Sequence, residues 1–533
     1  MIRRRDTLKG VAAAAALPLA TLPLSGPALA QGEAARTLRV VPQANLTSLD
    51  PVWTTAVVTR NHAYLVYDQI TAVDANNIPR PQMAEGWVIG NSNREWTFTL
   101  RPGLRFHDNE VVRAADCVAS IRRWMARATF GQALNAQLDE LSALDDRRFR
   151  FRLKKPFPFL ALAMGKSQNP CFIMPERIAA TDPFQQIRDA TGSGPFRFLA
   201  NEWNPGQRAV WAKFDGYTPR QEAPDGLAGG RVPRLDRVEW TVISDPATAA
   251  SAMVNGEQDY WEYPLHDLLP LLRRSRDLVV EQRLLEGTYG VMRFNHLHPP
   301  FDNLAVRRAV AMAVDQEDYL RAVAGDDAKG WGRCEGVFTC GTSLASEEGS
   351  GILRTRSIER ARAALRASGY AGEKVVLITP SDYPQINALS LVTADLMGRI
   401  GLNMEVVSAD WGTVIQRRAS KEPVERGGWS VVHTTSSGSD LGVPTIHLFL
   451  RANGPGAWFG WPQDDRIEEL RAAWLDADDE AESKRLGAAM NARAMEVLPY
   501  IPLGFYWQPS VWRRNVTGAF KAPATVFWNI AKA

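Results

Sequence analysis

Residues 96–108 read Trp96-Thr-Phe-Thr-Leu-Arg-Pro-Gly-Leu-Arg-Phe-His-Asp108, and this stretch decides the fold. In residues 96–100 apolar and hydroxyl side chains alternate, which predicts a strand with one buried face. Arg101-Pro102-Gly103 is a turn, because Pro presets the first corner and Gly accepts positive φ at the second. Residues 104–107 are expected to return as a second strand, with Asp108-Asn109 turning again. A helix follows from Ala114, with Cys117, Val118, Ile121, Trp124 and Met125 on one stripe.

The same reading extends outward in both directions. Residues 37–41 form a first strand, followed by a loop over 42–51; residues 64–73 are helix and strand. Gly192-Ser-Gly-Pro195 punctuates the chain and marks a domain crossing. Asp245-Pro246 starts a helix, with an N-cap and Pro at the first position, that stops at Asn255-Gly256. Asn303 caps a helix holding Val306, Ala309, Val310 and Ala313, and Asp315 begins the next. A strand over 375–379, a helix over 386–400 and a strand over 404–408 make a βαβ unit with parallel pairing. Residues 465–495 are helical and 500–506 a strand. There is no internal repeat, so the chain is mixed α/β in several lobes.

Composition narrows the function. The chain has 533 residues, 45% hydrophobic and 23% charged, which excludes disordered, collagen-like and coiled-coil classes. Its net charge of +3 sits in the first thirty residues, where Arg3, Arg4, Arg5 and Lys9 oppose Asp6. The remainder is neutral, with no basic bias toward nucleic acid or anionic membrane. Residues 1–30 read as an export signal: a basic start, an Ala-rich apolar run, and Ala28-Leu29-Ala30 as cleavage site. Arg4-Arg5-Asp6-Thr7-Leu8-Lys9 resembles the twin-arginine motif; the general secretory route is the alternative. The expected location is the periplasm. Cys334 and Cys340 flank a short Gly-containing loop and are expected to form a disulfide, since zinc lacks two further ligands nearby. Cys117 and Cys171 read as buried thiols. His107-Asp108 reads as a hydrogen-bonded structural pair, and His296 and His298, before two prolines, as loop residues rather than a metal site. No G-x-S-x-G, H-E-x-x-H, P-loop, haem or iron–sulfur motif occurs, so no enzyme is expected and no cofactor.

Met83-Ala-Glu-Gly-Trp87, the strand–turn–strand at 96–108 and Ala114-Ala-Asp-Cys-Val-Ala-Ser120 together resemble the signature of the extracellular solute-binding proteins of family 5, the peptide-binding components of ABC importers. Gly192-Ser-Gly-Pro-Phe-Arg-Phe198, residues 245–261 and residues 295–318 extend the resemblance in the same order along the chain. Asn109, Arg113 and Cys117 depart from the family's usual Gly, Ser or Thr, and Val. The resemblance implies a periplasmic-binding-protein-like α/β fold with two main lobes around a cleft, a smaller inserted lobe and a hinge of two chain crossings. Lobe I is expected at 37–75, 193–290 and 505–533, lobe II at 76–192 and lobe III at 291–504, with crossings near Asn295 and Phe505.

The resemblance also implies a small solute, a peptide for choice, passed to permease subunits in the inner membrane by a monomer. A secreted enzyme, or a binding protein for a metal complex, sugar or opine, is the alternative. In peptide-binding relatives a lobe III Asp pairs with the ligand's ammonium. Here the segment Trp429-Ser-Val-Val-His-Thr-Thr-Ser-Ser-Gly-Ser-Asp440-Leu-Gly-Val-Pro444 offers only Asp440, which could instead cap its own turn. Trp411, Trp429 and Tyr289, near strand ends, and Gln43 and Asn45, after the first strand, are the other expected cleft residues; core packing is the alternative for the aromatics.

Overall fold

A computed structural model describes residues 36–533 apart from 285, 286 and 478; the export signal expected at 1–30 lies outside the described residues. In strand Glu95–Leu100, Trp96, Phe98 and Leu100 are buried while Glu95, Thr97 and Thr99 are half-buried, as the alternation requires. This strand lies second in an antiparallel sheet ordered Ala84–Gly90, Glu95–Leu100, Arg148–Leu153, Leu138–Ala143. Phe98 stacks on Phe149 at 5.3 Å between centroids. Helix Ala114–Arg127 lays Cys117, Ile121, Trp124 and Met125 onto the same core. Each large side chain so buried contributes roughly 1.5–3 kcal/mol.

The turn residues behave as their chemistry demands. Gly103 has φ +79° and Asn109 φ +69°. Residues 104–107 do not form the expected second strand; only an isolated bridge, Arg105 to Val111, remains there. Both edges of Glu95–Leu100 are already occupied, by Ala84–Gly90 and Arg148–Leu153, so a third partner has no ladder to join. His107 instead clamps the punctuation at 192–194: its Nδ1 accepts from Gly192 N–H at 3.3 Å and its Nε2 faces Gly194 C=O at 3.1 Å.

Two larger sheets carry the rest. A seven-stranded sheet runs Leu278–Gln282, Pro509–Arg513, Tyr260–Trp261, Thr37–Val41, Arg237–Thr241, Arg208–Lys213, Phe196–Phe198. Thr37–Val41 pairs in parallel with both its neighbours. A six-stranded sheet runs Trp331–Gly332, Ile501–Tyr506, Thr288–Phe294, Val431–Ser437, Lys374–Pro380, Asn403–Ala409. Lys374–Pro380, helix Pro384–Ile400 and Asn403–Ala409 form the expected parallel βαβ unit. Asp245 caps helix Pro246–Asn255 through Thr248 N–H, and Gly256 ends it at φ +79°. The helical region after 464 divides into Asp465–Leu475 and Glu480–Val497, because Asp479 caps a fresh start.

The seven-stranded sheet's strand ending at Gln282 is followed by the six-stranded sheet's strand starting at Thr288, and the strand ending at Tyr506 by one back in the seven-stranded sheet starting at Pro509. The expected boundaries at 290/291 and 504/505 cut through strands Thr288–Phe294 and Ile501–Tyr506, which the ladders keep whole from Thr288↔Ser437 and Thr288↔Tyr506 onward. Asn295 therefore follows a six-stranded-sheet strand rather than marking a crossing. Alternation along the six-stranded sheet divides its faces. Val375, Leu377 and Val431 pack on the helices of their own layer, whereas Val376, Ile378 and Val432 join the core under the seven-stranded sheet. The cleft between the sheets is thus floored by one face of strand Val431–Ser437.

Candidate functional site

Helix Val57–Val66 is buried from Val58 to Val66, yet it contains Arg60-Asn61-His62. Buried polar groups need partners: His62 Nδ1 accepts from Trp211 Nε1 at 3.2 Å, and Arg60 and Asn61 build a chain across the cleft wall. Asn61 donates to Glu262 Oε1 at 2.6 Å, and Gln43 N–H donates to Glu262 Oε2 at 2.9 Å. Arg60 donates to Asn61 Oδ1 at 3.1 and 3.2 Å and to Gln168 Oε1 at 2.9 Å. Burial raises the Glu262 carboxyl above its ordinary range, against these hydrogen bonds and the Arg60 charge.

Gln168 brings this chain to the opposite sheet. It belongs to the polar run Lys166-Ser-Gln-Asn169 after helix Leu160–Gly165. Ser167 Oγ donates to Asp440 Oδ1 at 3.1 Å across 273 residues of sequence. Asp440 is 3% exposed, in the 3₁₀ turn Gly438–Leu441 that follows strand Val431–Ser437. It lines a small pocket with Thr434, Thr435, Ser436 and Ser437 from its own sheet and with Thr55, Arg60 and Gln168 from the other side. Lys166 is 7% exposed and donates to Gln168 C=O. Burial pushes its ammonium down to about 8, while the nearby Asp440 charge works the other way and Arg60 adds to the lowering.

Arg418 stands behind the pocket wall. It is 1% exposed, and its guanidinium carbon lies 5.5, 5.2 and 5.0 Å from the rings of Trp411, Trp458 and Phe459. Its side chain makes one hydrogen bond, to Thr55 Oγ1 at 3.3 Å, and burial brings it down to about 9. The pocket can therefore hold a cationic group against Asp440, offer hydroxyls along strand Val431–Ser437, and present cations on its far wall.

The expected residues separate into distinct positions. Asp440 lies in the pocket. Gln43 and Asn45 lie together at a second opening between the sheets, beside Tyr263 and Asp382. The Gln43 side-chain amide has no hydrogen-bond partner, whereas Asn45 Oδ1 accepts from Gly206 N–H at 2.8 Å. Trp411 is 3% exposed, starts helix Trp411–Arg417 and packs edge-on against Tyr383 at 5.5 Å. Trp429 is 1% exposed and donates to Arg418 C=O at 3.0 Å, so it supports the arginine from within the core. Tyr289 stacks on Phe505 at 5.3 Å, and its hydroxyl accepts from Cys340 N–H at 3.2 Å. Cys334 and Cys340 are joined in a disulfide with Cα atoms 5.8 Å apart; Cys117 and Cys171 are buried free thiols. Between the two cysteines, Thr339 Oγ1 donates to Gly438 C=O at the head of the Asp440 turn. His296 faces Pro499 C=O and His298 faces Lys421 C=O. Among the described residues, no group of three or more His, Cys, Asp or Glu could hold a metal.

Sequence reading missed Arg60, Lys166, Ser167, Gln168 and Glu262. Two of the missed segments carry a signal. Arg60-Asn-His interrupts an apolar helix, and Lys166-Ser-Gln-Asn interrupts the apolar run around it. Polar groups set into buried segments mark a network or a site.

Comparison with known proteins assigns the family. The model of bacterial extracellular solute-binding proteins, family 5 Middle, matches residues 79–441. The chain belongs to this family. A probable peptide ABC transporter periplasmic-binding protein, y4tO of Sinorhizobium fredii, is 36% identical over 536 residues, covering 100% of each chain. The glutathione-binding protein GsiB of Salmonella typhi is 24% identical, covering 96% of each. Among solved structures, AppA of Bacillus subtilis with a nonapeptide superimposes with TM-score 0.78 at 15% identity, covering 93% of this chain and 99% of that one. AgaA of A. tumefacien R10 with agropinic acid gives 0.77 at 21% identity, covering 93% and 99%. The chain is accordingly a solute-binding protein of an ABC importer, from a family whose members are extracellular or periplasmic. No described helix is long and apolar enough to cross a membrane.

Proposed function

We propose that this protein is a periplasmic receptor for a small, ammonium-bearing solute of the peptide class. It closes on the solute between a seven-stranded lobe I and a six-stranded lobe III, with lobe II built on the four-stranded sheet, and presents it as a monomer to permease subunits in the inner membrane. Export follows cleavage after Ala30, by the twin-arginine route. One observation carries the reading: Asp440, buried between the lobes, is set among the hydroxyls of Thr434–Ser437 with walls from both sides of the cleft. A carboxylate buried there attracts a cationic group of the solute as it does the Lys166 ammonium beside it. Its chemistry is capture and release, with no hydrolytic or redox turnover.

The test has two arms. Small molecules released from protein isolated from its native periplasm are identified by mass spectrometry, and binding of the recovered compound is titrated against the wild type and Asp440→Ala. The expected result is an intact amine-bearing solute whose affinity falls by roughly 3 kcal/mol or more in the variant, since an ammonium would be left buried and unpaired. Unchanged affinity in Asp440→Ala, or enzyme-dependent conversion of the solute, refutes the reading.

A further inference from the structure

We infer that the solute carries more negative than positive charge, and that an anionic group of it is seated in an aromatic cavity beside the Asp440 pocket. This rests on the reading of Asp440 as the ammonium acceptor. The cavity has a volume of about 370 Å³ and shares Thr55, Leu448 and Trp458 with the pocket that holds Asp440. Trp53, Trp124, Trp458 and Trp461 wall it, and its charged lining groups are Arg127 and Lys421, with no carboxylate.

Neither cation is paired with an acid among the described residues. Arg127 donates to Trp53 C=O at 3.1 Å, and its guanidinium lies 4.8 Å from the Phe184 ring. Asp50, the nearby carboxylate, is taken by Arg123 at 2.7 Å. Lys421 Nζ lies 5.4 Å from the Trp461 ring. Arg418 adds a third cation at the shared wall. Its Nε has no hydrogen-bond partner, and its bond to Thr55 Oγ1 is shared with Trp458 Nε1, also at 3.3 Å. A guanidinium so deeply buried calls for a counter-ion. An anion entering beside Thr55 supplies one, and the aromatic walls favour an apolar stem behind it.

The charges facing the joined space agree. Among the described residues the charged groups lining the two openings are Arg60, Arg127 and Lys421 against Asp440, with Arg418 and Lys166 buried behind them. Lys166 already offsets part of the Asp440 charge, so a solute contributing only an ammonium gains little there. A neutral zwitterion leaves the cationic excess unchanged. One ammonium with two carboxylates reduces it, and complementarity of this kind selects between solutes of similar size.

The test uses tripeptides with free amino termini, synthesised in pairs that differ only by Glu or Gln at one position. Binding is read by calorimetry in the wild type, in Arg127→Gln/Lys421→Gln, and in the charge-keeping Arg127→Lys/Lys421→Arg. We expect the Glu member of at least one pair to bind at least tenfold tighter in the wild type. That preference should fall below threefold in the Gln double variant and should persist in the charge-keeping variant. Equal affinities within each pair, a preference that survives in the Gln double variant, or no binding of any Glu peptide up to millimolar concentration overturns the inference. Asp440→Ala separates the two readings: there both members of a pair should weaken together. If neither weakens, the ammonium reading fails, while the Glu-to-Gln ratio still reports on the cavity.

Discussion

Acidification should destabilise this protein through its histidines, and the size of the effect can be worked from their surroundings. His62, His433 and His447 are completely buried, and burial pushes each down to about 3. His433 lies 3.2 Å from Ser390 Oγ and 2.8 Å from Thr393 Oγ1, and His447 lies 2.8 Å from Val337 C=O and 3.0 Å from Tyr500 Oη. His107 is held down to about 4. Each is neutral when folded, while the unfolded chain takes up the proton near pH 6.5. Their contribution is therefore fully present above 6.5 and is lost as pH falls through 6.5 toward the folded values. Between pH 7 and pH 5 each costs about 2 kcal/mol of stability, of the order of a marginal domain's reserve for three or four together. At pH 5.5 unfolding should take up about 0.9 proton per such histidine. Glu262 and Asp382, raised by burial, shift in the opposite sense and offset part of this. The decisive comparison is therefore His433→Gln, which keeps a polar partner for Ser390 and Thr393 but does not titrate. Calorimetric unfolding at pH 5.5 in two buffers of different ionisation enthalpy counts the protons. Wild type should exceed the variant by about one; equal uptake would refute the argument.

Other consequences are as direct. Cys334→Ser/Cys340→Ser should cost about 2 kcal/mol in denaturant unfolding, the chain-entropy value for so short a loop, and should also weaken solute binding, because Thr339 in that loop holds Gly438 C=O; unchanged affinity would show that the Asp440 turn needs no such support. Lys166→Met should tighten ammonium-only ligands by about tenfold, by removing a like charge near Asp440, and calorimetry showing weaker binding of such ligands would reverse the sign of the argument. Gly192→Ala would set a Cβ 2.0 Å from Val66 C=O, and should lower the melting temperature by several degrees or abolish soluble expression; a melting curve like the wild type's counts against the close approach. Asp245→Ala should cost about 1 kcal/mol, the loss of an N-cap, measured by urea unfolding.

What could be read from the sequence was local. The alternation at 96–100, the caps at Asp245, Asn303 and Asp315, the βαβ unit and the cysteine pair six residues apart all depend on neighbours within a few positions. Residues 104–107 misled because their own pattern suits a strand, while the free edge they needed had gone to a segment starting at Arg148. The crossings were misplaced for a related reason: strand Thr288–Phe294 is fixed by pairing with residues near 434 and 503, which no local window contains. The site followed the same rule. Asp440 was singled out only through the family resemblance of its segment, and Ser167, which bonds it, lies 273 residues away. Trp429 and Trp411 were found as aromatics near strand ends; that they brace Arg418 rather than line the Asp440 pocket depends on a helix and a loop meeting in space.

The contacts that join the two large sheets explain why such a cleft can respond to a solute. Apart from the apolar core they share, the polar ties across it among the described residues include Ser167 to Asp440 and Ser439, Arg418 and Trp458 to Thr55, and Gln385 to Gln508 at 3.2 Å. The Thr55 bonds are at the long end of the normal range, and each tie is worth about 1 kcal/mol or less when an exposed alternative in water exists. Opposed to them is the cost of burying Lys166, Arg60 and Arg418 near Asp440. A solute shifts that balance only by its extra affinity for the closed form, and the groups reached on closing are the ones in cationic excess. Charge on the solute thus sets both which compound is held and how completely the lobes close, so replacing Arg127 and Lys421 should reduce solute-induced compaction in small-angle scattering more for Glu tripeptides than for their Gln partners, and an equal reduction for both would refute the argument.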